Sequence, residues 1–283
     1  MTGWTTLVDA AALATASDVA LFDCRFDLAD PEAGARGFLA GHLPGAHYLH
    51  LDRDLSGPPD GRNGRHPLPD RDTLARRLAA LGLRRHQPVV AYDEAGGAFA
   101  ARLWWLLRWL GHEAVAVLDG GLPAWTAAGL PLVAGEAPPV APGDFAAAPG
   151  AAMATATAGE ILADLATGRH WRLVDARAPE RFRGAPHPLD PAPGHVPGAA
   201  NRFFRDNLGA DGRFKPADAL RADYRALLGD TPPERALFYC GSGVTAAHDL
   251  LAMAHAGLPG AALYPGSWSE WASDPARPVK RDR

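Results

Sequence analysis

Cysteine is scarce in this chain: only Cys24 and Cys240 occur among its 283 residues. Two thiols cannot build a disulfide framework or a four-thiolate zinc site. The eleven histidines are scattered, and none stands in a CxxC or HxxEH setting, so no metal site is expected. Long apolar runs are also lacking. The most apolar stretch, Ala98 to Leu110, is too short to span a bilayer and carries Arg102 and Arg108. The first twenty residues have no basic n-region and no apolar core before Asp9, so no secretory signal is read. Positive charge is not in excess: Lys and Arg number 28 against 32 Asp and Glu, for a net charge of -4. Neither nucleic acid nor a membrane is therefore expected as a partner. These absences describe a cytoplasmic protein whose free thiols stay reduced.

What the chain does have is an internal repeat. Leu21-Phe22-Asp23-Cys24-Arg25 resembles Leu173-Val174-Asp175-Ala176-Arg177, and Gly41-His42-Leu43-Pro44-Gly45-Ala46 matches Gly194-His195-Val196-Pro197-Gly198-Ala199. Val90 to Asp93 matches Leu237 to Cys240, and Asp119 to Trp125 matches Pro265 to Trp271. Four landmarks recurring in the same order at nearly constant spacing point to a tandem duplication. The stretch 134–152 (AGEAPPVAPGDFAAAPGAA) is dominated by Pro, Ala and Gly and reads as a semi-rigid linker. The expected organisation is a first domain over 1–133, that linker, and a second domain over 153–283.

Each copy alternates short apolar runs with helical patterns. Pro88 to Tyr92, Ala114 to Leu118, Trp171 to Val174 and Ala236 to Tyr239 are predicted strands. Helices are predicted from about Gly97 to Leu110, from the capping-box signature Thr157-Ala158-Gly159-Glu160 onward, and up to about Ala256. The pattern predicts an α/β fold: two tandem domains, each a parallel sheet flanked by helices. In such sheets a ligand crevice lies beyond the carboxyl ends of the strands, where both Asp93 and Cys240 fall. Cys24 reads as a small core residue, and the tryptophans 104, 105 and 109, at helical spacing, as packing rather than a ligand platform.

The segment Cys240-Gly241-Ser242-Gly243-Val244-Thr245-Ala246 follows a predicted strand and opens a helix. The backbone N–H groups of such a loop converge on one anion, and Gly241 and Gly243 permit the backbone angles this requires. A thiolate at its base is favoured by those donors, and a persulfide anion carries the same charge one atom further out. A tyrosine-phosphatase reading fails at Ala246, where a phosphate-gripping Arg would be needed. At these residues the chain resembles the rhodanese superfamily, and within it the mercaptopyruvate sulfurtransferases. CGSGVTA is the most specific element, while GHxPGA and the SWSEW run at Ser267 to Trp271 also look like family marks. The resemblance covers Thr6 to Trp271. It implies two rhodanese-like domains, the first inactive because Asp93 stands where the second has Cys240, and it implies no cofactor.

The resemblance further implies that Cys240 carries sulfur as a persulfide and that Gly241, Gly243, Val244 and Thr245 help bind the donor. In related thiosulfate sulfurtransferases the positions of Gly241 and Ser242 are usually basic. The neutral pair here fits 3-mercaptopyruvate, a monoanion, better than the dianion thiosulfate. Arg181, and after it Arg177, match a substrate-gripping arginine. A further arginine common in the family is replaced by Ala185-Pro186-His187-Pro188-Leu189-Asp190, so a second carboxylate grip is missing or comes from elsewhere. A Ser–His–Asp relay would fall on Ser242, His66 and Asp52, the last two in the first domain. The expected acceptor is a thiol such as thioredoxin or glutathione, or cyanide. The alternatives are a thiosulfate:cyanide sulfurtransferase and a persulfide carrier that does not turn over a small donor.

Overall fold

In the computed structural model, which describes residues 3–168 and 170–282, the apolar runs become strands and the chain divides into two units. The first runs to Gly57 and takes in Pro69–Ala152 and Ala210–Phe214; the second comprises Pro58–Leu68, Met153–Gly209 and the chain from Lys215.

In the first unit the strands are β1 (Leu7–Val8), β2 (Ala20–Asp23), β3 (Ala46–Tyr48), β4 (Val89–Tyr92) and β5 (Val115–Leu118). They form one sheet in the order β1-β5-β4-β2-β3, with every pairing parallel. The helices are α1 (Ala10–Ala14), α2 (Ala33–Ala40), α3 (Arg71–Ala80), α4 (Ala100–Trp109) and α5 (Gly121–Ala127). β4 and β5 are buried at every position, as expected of central parallel strands covered on both faces. α4 is nearly all buried; Trp104 gives its indole N–H to the Thr5 carbonyl, and Trp105 stacks on Trp109, so this trio packs the core as expected. The stretch 134–152, expected as a semi-rigid linker, is tied to the first unit. Gly143, Phe145 and Ala148 donate backbone N–H groups to the Ala79, Leu83 and Leu110 carbonyls, and Phe145 is buried.

In the second unit the strands are β6 (Arg172–Asp175), β7 (Ala200–Asn201), β8 (Ala236–Tyr239) and β9 (Ala262–Leu263), ordered β7-β6-β8-β9 and again all parallel. This is the order β3-β2-β4-β5 of the first sheet. Its helices are α6 (Ala158–Thr167), α7 (Pro179–Arg183), α8 (Ala217–Leu228), α9 (Ala246–His255) and α10 (Ser267–Trp271). α6 starts on the predicted capping box: Thr157 Oγ1 accepts from the Glu160 N–H, and the Glu160 carboxylate accepts from the Thr157 N–H. The core gathers Ile161, Leu173, Val196, Leu237, Tyr239, Tyr264, Trp268 and Trp271.

The repeated motifs explain how each sheet is tied. Asp175 and Arg177 form a buried fork, and Arg177 also donates to the Gly194 carbonyl at 2.7 Å. Asp23 and Arg25 do the same with the Gly41 carbonyl at 2.8 Å. His195 stacks on Phe182 at 3.7 Å and bonds its carbonyl; His42 does so with Phe38. The GHxPGA segments are then held by Tyr239 and Tyr92, whose hydroxyls accept the Val196 and Leu43 N–H groups. Burial pushes both phenols upward in pKa, so they stay neutral. These marks are structural clasps, present alike in both units.

Candidate active site

The chain leaves β8 at Tyr239, and Cys240 begins the turn into α9. Its side chain is buried, with 2 % of its surface exposed. The Gly243 N–H donates to Cys240 Sγ at 3.1 Å and the Ser242 N–H at 3.5 Å, so backbone dipoles point at the sulfur. Gly243 has φ +76, and an added Cβ would lie 2.3 Å from the Pro265 carbonyl oxygen, so glycine is needed here on two counts. The base of the loop is fixed from the other side. Cys240 donates its N–H to Ser267 Oγ at 3.1 Å, and its carbonyl accepts from the Trp268 N–H at 2.9 Å. Ser267 holds this position with φ +53, an unfavourable conformation for a residue with a side chain. Val244 is buried and Thr245 half-buried where the loop enters α9. Ala246, fully buried, stands where a phosphate-binding loop would carry an arginine.

The first unit repeats this geometry with a carboxylate. Asp93 Oδ1 accepts from the Ala95 and Gly97 N–H groups at 2.8 and 2.9 Å, and Oδ2 from Phe99 and Ala100 at 2.8 and 2.9 Å. Its carbonyl accepts from the Leu122 N–H at 2.8 Å, matching the Cys240–Trp268 bond. A loop of this build therefore seats an anion, and in the second unit the atom seated is sulfur.

Of the expected helpers, the structure brings His66 to Ser242. His66 Nδ1 and Ser242 Oγ are 2.7 Å apart, both side chains buried. His66 lies on the segment Pro58–Leu68, which packs with the second unit. Gly64 allows the approach: with φ +89, it lies so close to Gly266 that a Cβ would sit 2.7 Å from that residue's carbonyl oxygen. Asp52 belongs to the first unit, is exposed, and gives its N–H to His50 Nδ1 at 3.1 Å.

Arg177, the second candidate for gripping the donor, sits deeper in the fold. It is buried against Asp175, Asp190 and the Gly194 carbonyl, with its guanidinium 4.7 Å from the Trp268 ring centre. Arg25 makes the corresponding fork in the first unit, where Asp93 rather than a cysteine follows β4, so the fork also serves the fold. Arg181 lies nearer the thiol loop. Its Nε and one Nη donate to Asp190 at 2.9 and 2.6 Å, and that same Nη would lie 3.2 Å from a Cβ placed on Gly241. A second guanidinium near the loop, not singled out in the sequence, is that of Arg65. One of its Nη atoms donates to the Leu189 carbonyl at 2.7 Å, and the other would lie 3.3 Å from that same Gly241 Cβ. The loop is neutral in sequence, yet two guanidinium ends stand over Gly241. The sole signal in the sequence was adjacency to His66, in a turn whose packing partner lay some two hundred positions away.

Comparison with known proteins agrees with this geometry. The Rhodanese-like domain model matches residues 6–128 and again residues 157–274. The chain belongs to the rhodanese family. Among relatives, this rhodanese is 52% identical over 93% of its length, and 92% of the other's, to a probable 3-mercaptopyruvate sulfurtransferase of Pseudomonas aeruginosa. It is 41% identical, over 98% of its length and 96% of the relative's, to a putative thiosulfate sulfurtransferase, SseB, of Mycobacterium tuberculosis. The crystal structure of SseA, a 3-mercaptopyruvate sulfotransferase of Escherichia coli, superposes with a TM-score of 0.80 at 32% identity, covering 94% of this rhodanese and 99% of that chain. Similarity of this extent makes the rhodanese a sulfurtransferase enzyme. Among the described residues, no group of side chains is arranged to hold a metal ion and no helix is long and apolar enough to cross a membrane.

Proposed function

We propose that this sulfurtransferase takes sulfur from 3-mercaptopyruvate onto Cys240 and passes it to a thiol acceptor, thioredoxin or glutathione, or to cyanide, in the cytoplasm. The observation that carries the reading is Cys240 Sγ under two backbone N–H groups, next to a Ser242–His66 pair at 2.7 Å. The Cys240 thiolate attacks the donor's sulfur. The carbon–sulfur bond breaks, its electron pair passes to carbon as the enolate of pyruvate, and the proton of the donor thiol ends on that carbon. Ser242 and His66 are placed to move this proton. Pyruvate leaves, and the cradle that held a thiolate holds the persulfide anion. An acceptor thiolate then attacks the outer sulfur and regenerates the Cys240 thiolate. These are two half-reactions of covalent catalysis, and they need no cofactor. The chemistry belongs to the second copy of a duplicated domain; Asp93 makes the first copy unable to hold sulfur.

A side-by-side assay tests the reading. Wild-type protein should turn over 3-mercaptopyruvate faster than thiosulfate at equal concentration with the same acceptor, and Cys240→Ser should abolish both activities. Preference for thiosulfate would favour the second reading, a thiosulfate:cyanide sulfurtransferase, for which the two guanidinium ends over Gly241 and the Mycobacterium tuberculosis relative speak. Persulfide on Cys240 with no turnover of either donor would make the protein a carrier.

A further inference from the structure

The run after α7, residues 185–190, carries Asp190, a carboxylate, and no arginine. Asp190 is buried, with 3% of its side chain exposed, and accepts from Arg181 through both oxygens and from Arg177 at 3.3 Å. Arg181 is thus held by its neighbour in one orientation, with a committed Nε and a partly committed Nη. A monoanionic donor gripped by Arg181 alone would be bound by what that guanidinium has left.

Arg65 arrives at the same point from a different segment. Its backbone N–H donates to Ser269 Oγ at 3.0 Å and its side chain to the Leu189 carbonyl at 2.7 Å, so both ends of the residue are anchored within the second unit. This places its other Nη next to Gly241, the residue that follows the thiol, beside the Arg181 Nη. Two guanidinium ends on one side of a glycine make a fork for a carboxylate. A side chain at residue 241 would crowd that fork, since a Cβ would lie within 3.3 Å of both nitrogens. His187, on the same run, reports the positive field: its pKa is lowered by burial first, then by Arg181, with Arg65 and Arg177 adding and Asp190 opposing.

We infer that Arg65 is a donor-binding residue that grips the carboxylate of the sulfur donor together with Arg181, in place of the arginine missing from residues 185–190. The inference rests on the proposed donor, and the experiment separates the two. Loading of Cys240 is followed as the gain of one sulfur atom by mass spectrometry across a range of donor concentrations, for wild type, Arg65→Gln and Arg65→Lys. Discharge of the preformed persulfide by a thiol is timed separately. Arg65→Gln should raise the half-saturating mercaptopyruvate concentration roughly ten- to a hundredfold. It should leave the discharge rate within about twofold, because an acceptor thiol does not need the fork. Arg65→Lys should recover part of the loss, keeping the charge without the fork. Competitive inhibition by pyruvate should weaken in parallel. An unchanged half-saturation, or equal falls in loading and discharge, would overturn the inference, the latter by making Arg65 a support for His66 and the loop. If wild type loads only from thiosulfate, the donor assignment falls; Arg65 is then judged by the same shift on thiosulfate.

Discussion

Cys240 and Asp93 occupy matching strand ends, and the contrast between them isolates what the cradle does. The loop presents N–H groups that would be orphaned without an anion. Asp93 accepts four of them, and Cys240 Sγ accepts at least two. Asp93 is therefore structural in a way that its failure to carry sulfur does not suggest. Asp93→Ala would leave buried donors unmet, at about 1–3 kcal/mol for each one not rescued by water. Denaturant unfolding should show a loss of at least about 2 kcal/mol, while the persulfide still forms on Cys240 in protein that remains folded. Unchanged stability would mean that the first cradle tolerates an empty centre, and the anion argument for the second would lose its internal control. Ser267 shows the same economy of means: it bears a positive φ so that its hydroxyl can accept the Cys240 N–H and donate to the Tyr264 carbonyl.

Between residues and units stand the elements, and much of their placement was legible. Buried runs such as Ala236–Tyr239 announce themselves by continuous apolar composition, and α6 by its capping box. The parallel sheets followed from strands alternating with helices. Other features were out of reach for a physical reason. GHxPGA reads as a family mark, and the stacking of its histidines on phenylalanines, which gives the mark its physical reason, involves residues that no local rule pairs. Arg177 and Arg181 are four residues apart in one run, and no local rule tells which is clamped by Asp175 and which leans toward Gly241. Arg65 was illegible because its importance comes from non-local packing. A second case is α9, whose apolar pattern hides Asp249, fully buried between Asn207 and Tyr224, which donate to its Oδ1 at 2.6 and 3.0 Å. Burial pushes its carboxyl up to about 7, against the lowering influence of Asn207, Arg202 and Tyr224. The folded state then keeps a proton that the unfolded chain loses above about pH 4. This contribution is fully present below the unfolded value, is lost as pH rises through about 7, and changes no further above it. Thermal unfolding of wild type and Asp249→Asn from about pH 5 to about pH 8 should therefore diverge. The wild type should lose several degrees relative to the variant, roughly 2–4 °C per kcal/mol in a chain of this size. Parallel curves would show that Asp249 is charged throughout.

At the scale of the whole molecule, the proposed chemistry uses one of two units that share a strand order. A seat for an anion is not enough, since both units have one. The position matching Gly241 is Glu94, a mostly exposed carboxylate within 3.9 Å of Arg25, and the position matching Ser242 is Ala95. A donor approaching the first cradle would therefore meet negative charge where the second offers guanidinium ends, and no hydroxyl to assist proton transfer. Repulsion between two unit charges about 4 Å apart runs from about 1 kcal/mol in bulk water to about 4 kcal/mol at an effective dielectric of about 20; the exposure of Glu94 and its nearness to Arg25 place it toward the lower figure, a several-fold weakening of binding. This gives an expectation for a transplant of the nucleophile. In the double variant Asp93→Cys/Cys240→Ser, the thiol stands at a strand end beneath the same kind of cradle. Mass spectrometry after incubation with 3-mercaptopyruvate should nevertheless find no sulfur added, whereas wild type gains one atom per chain. Adding Glu94→Gly and Ala95→Ser to the double variant should bring back slow loading, because the repulsive charge is removed and the hydroxyl supplied while the arginine fork is still lacking. Rapid loading at position 93 in the double variant would show that the cradle alone makes a sulfurtransferase site, and that Ser242, His66, Arg65 and Arg181 contribute little.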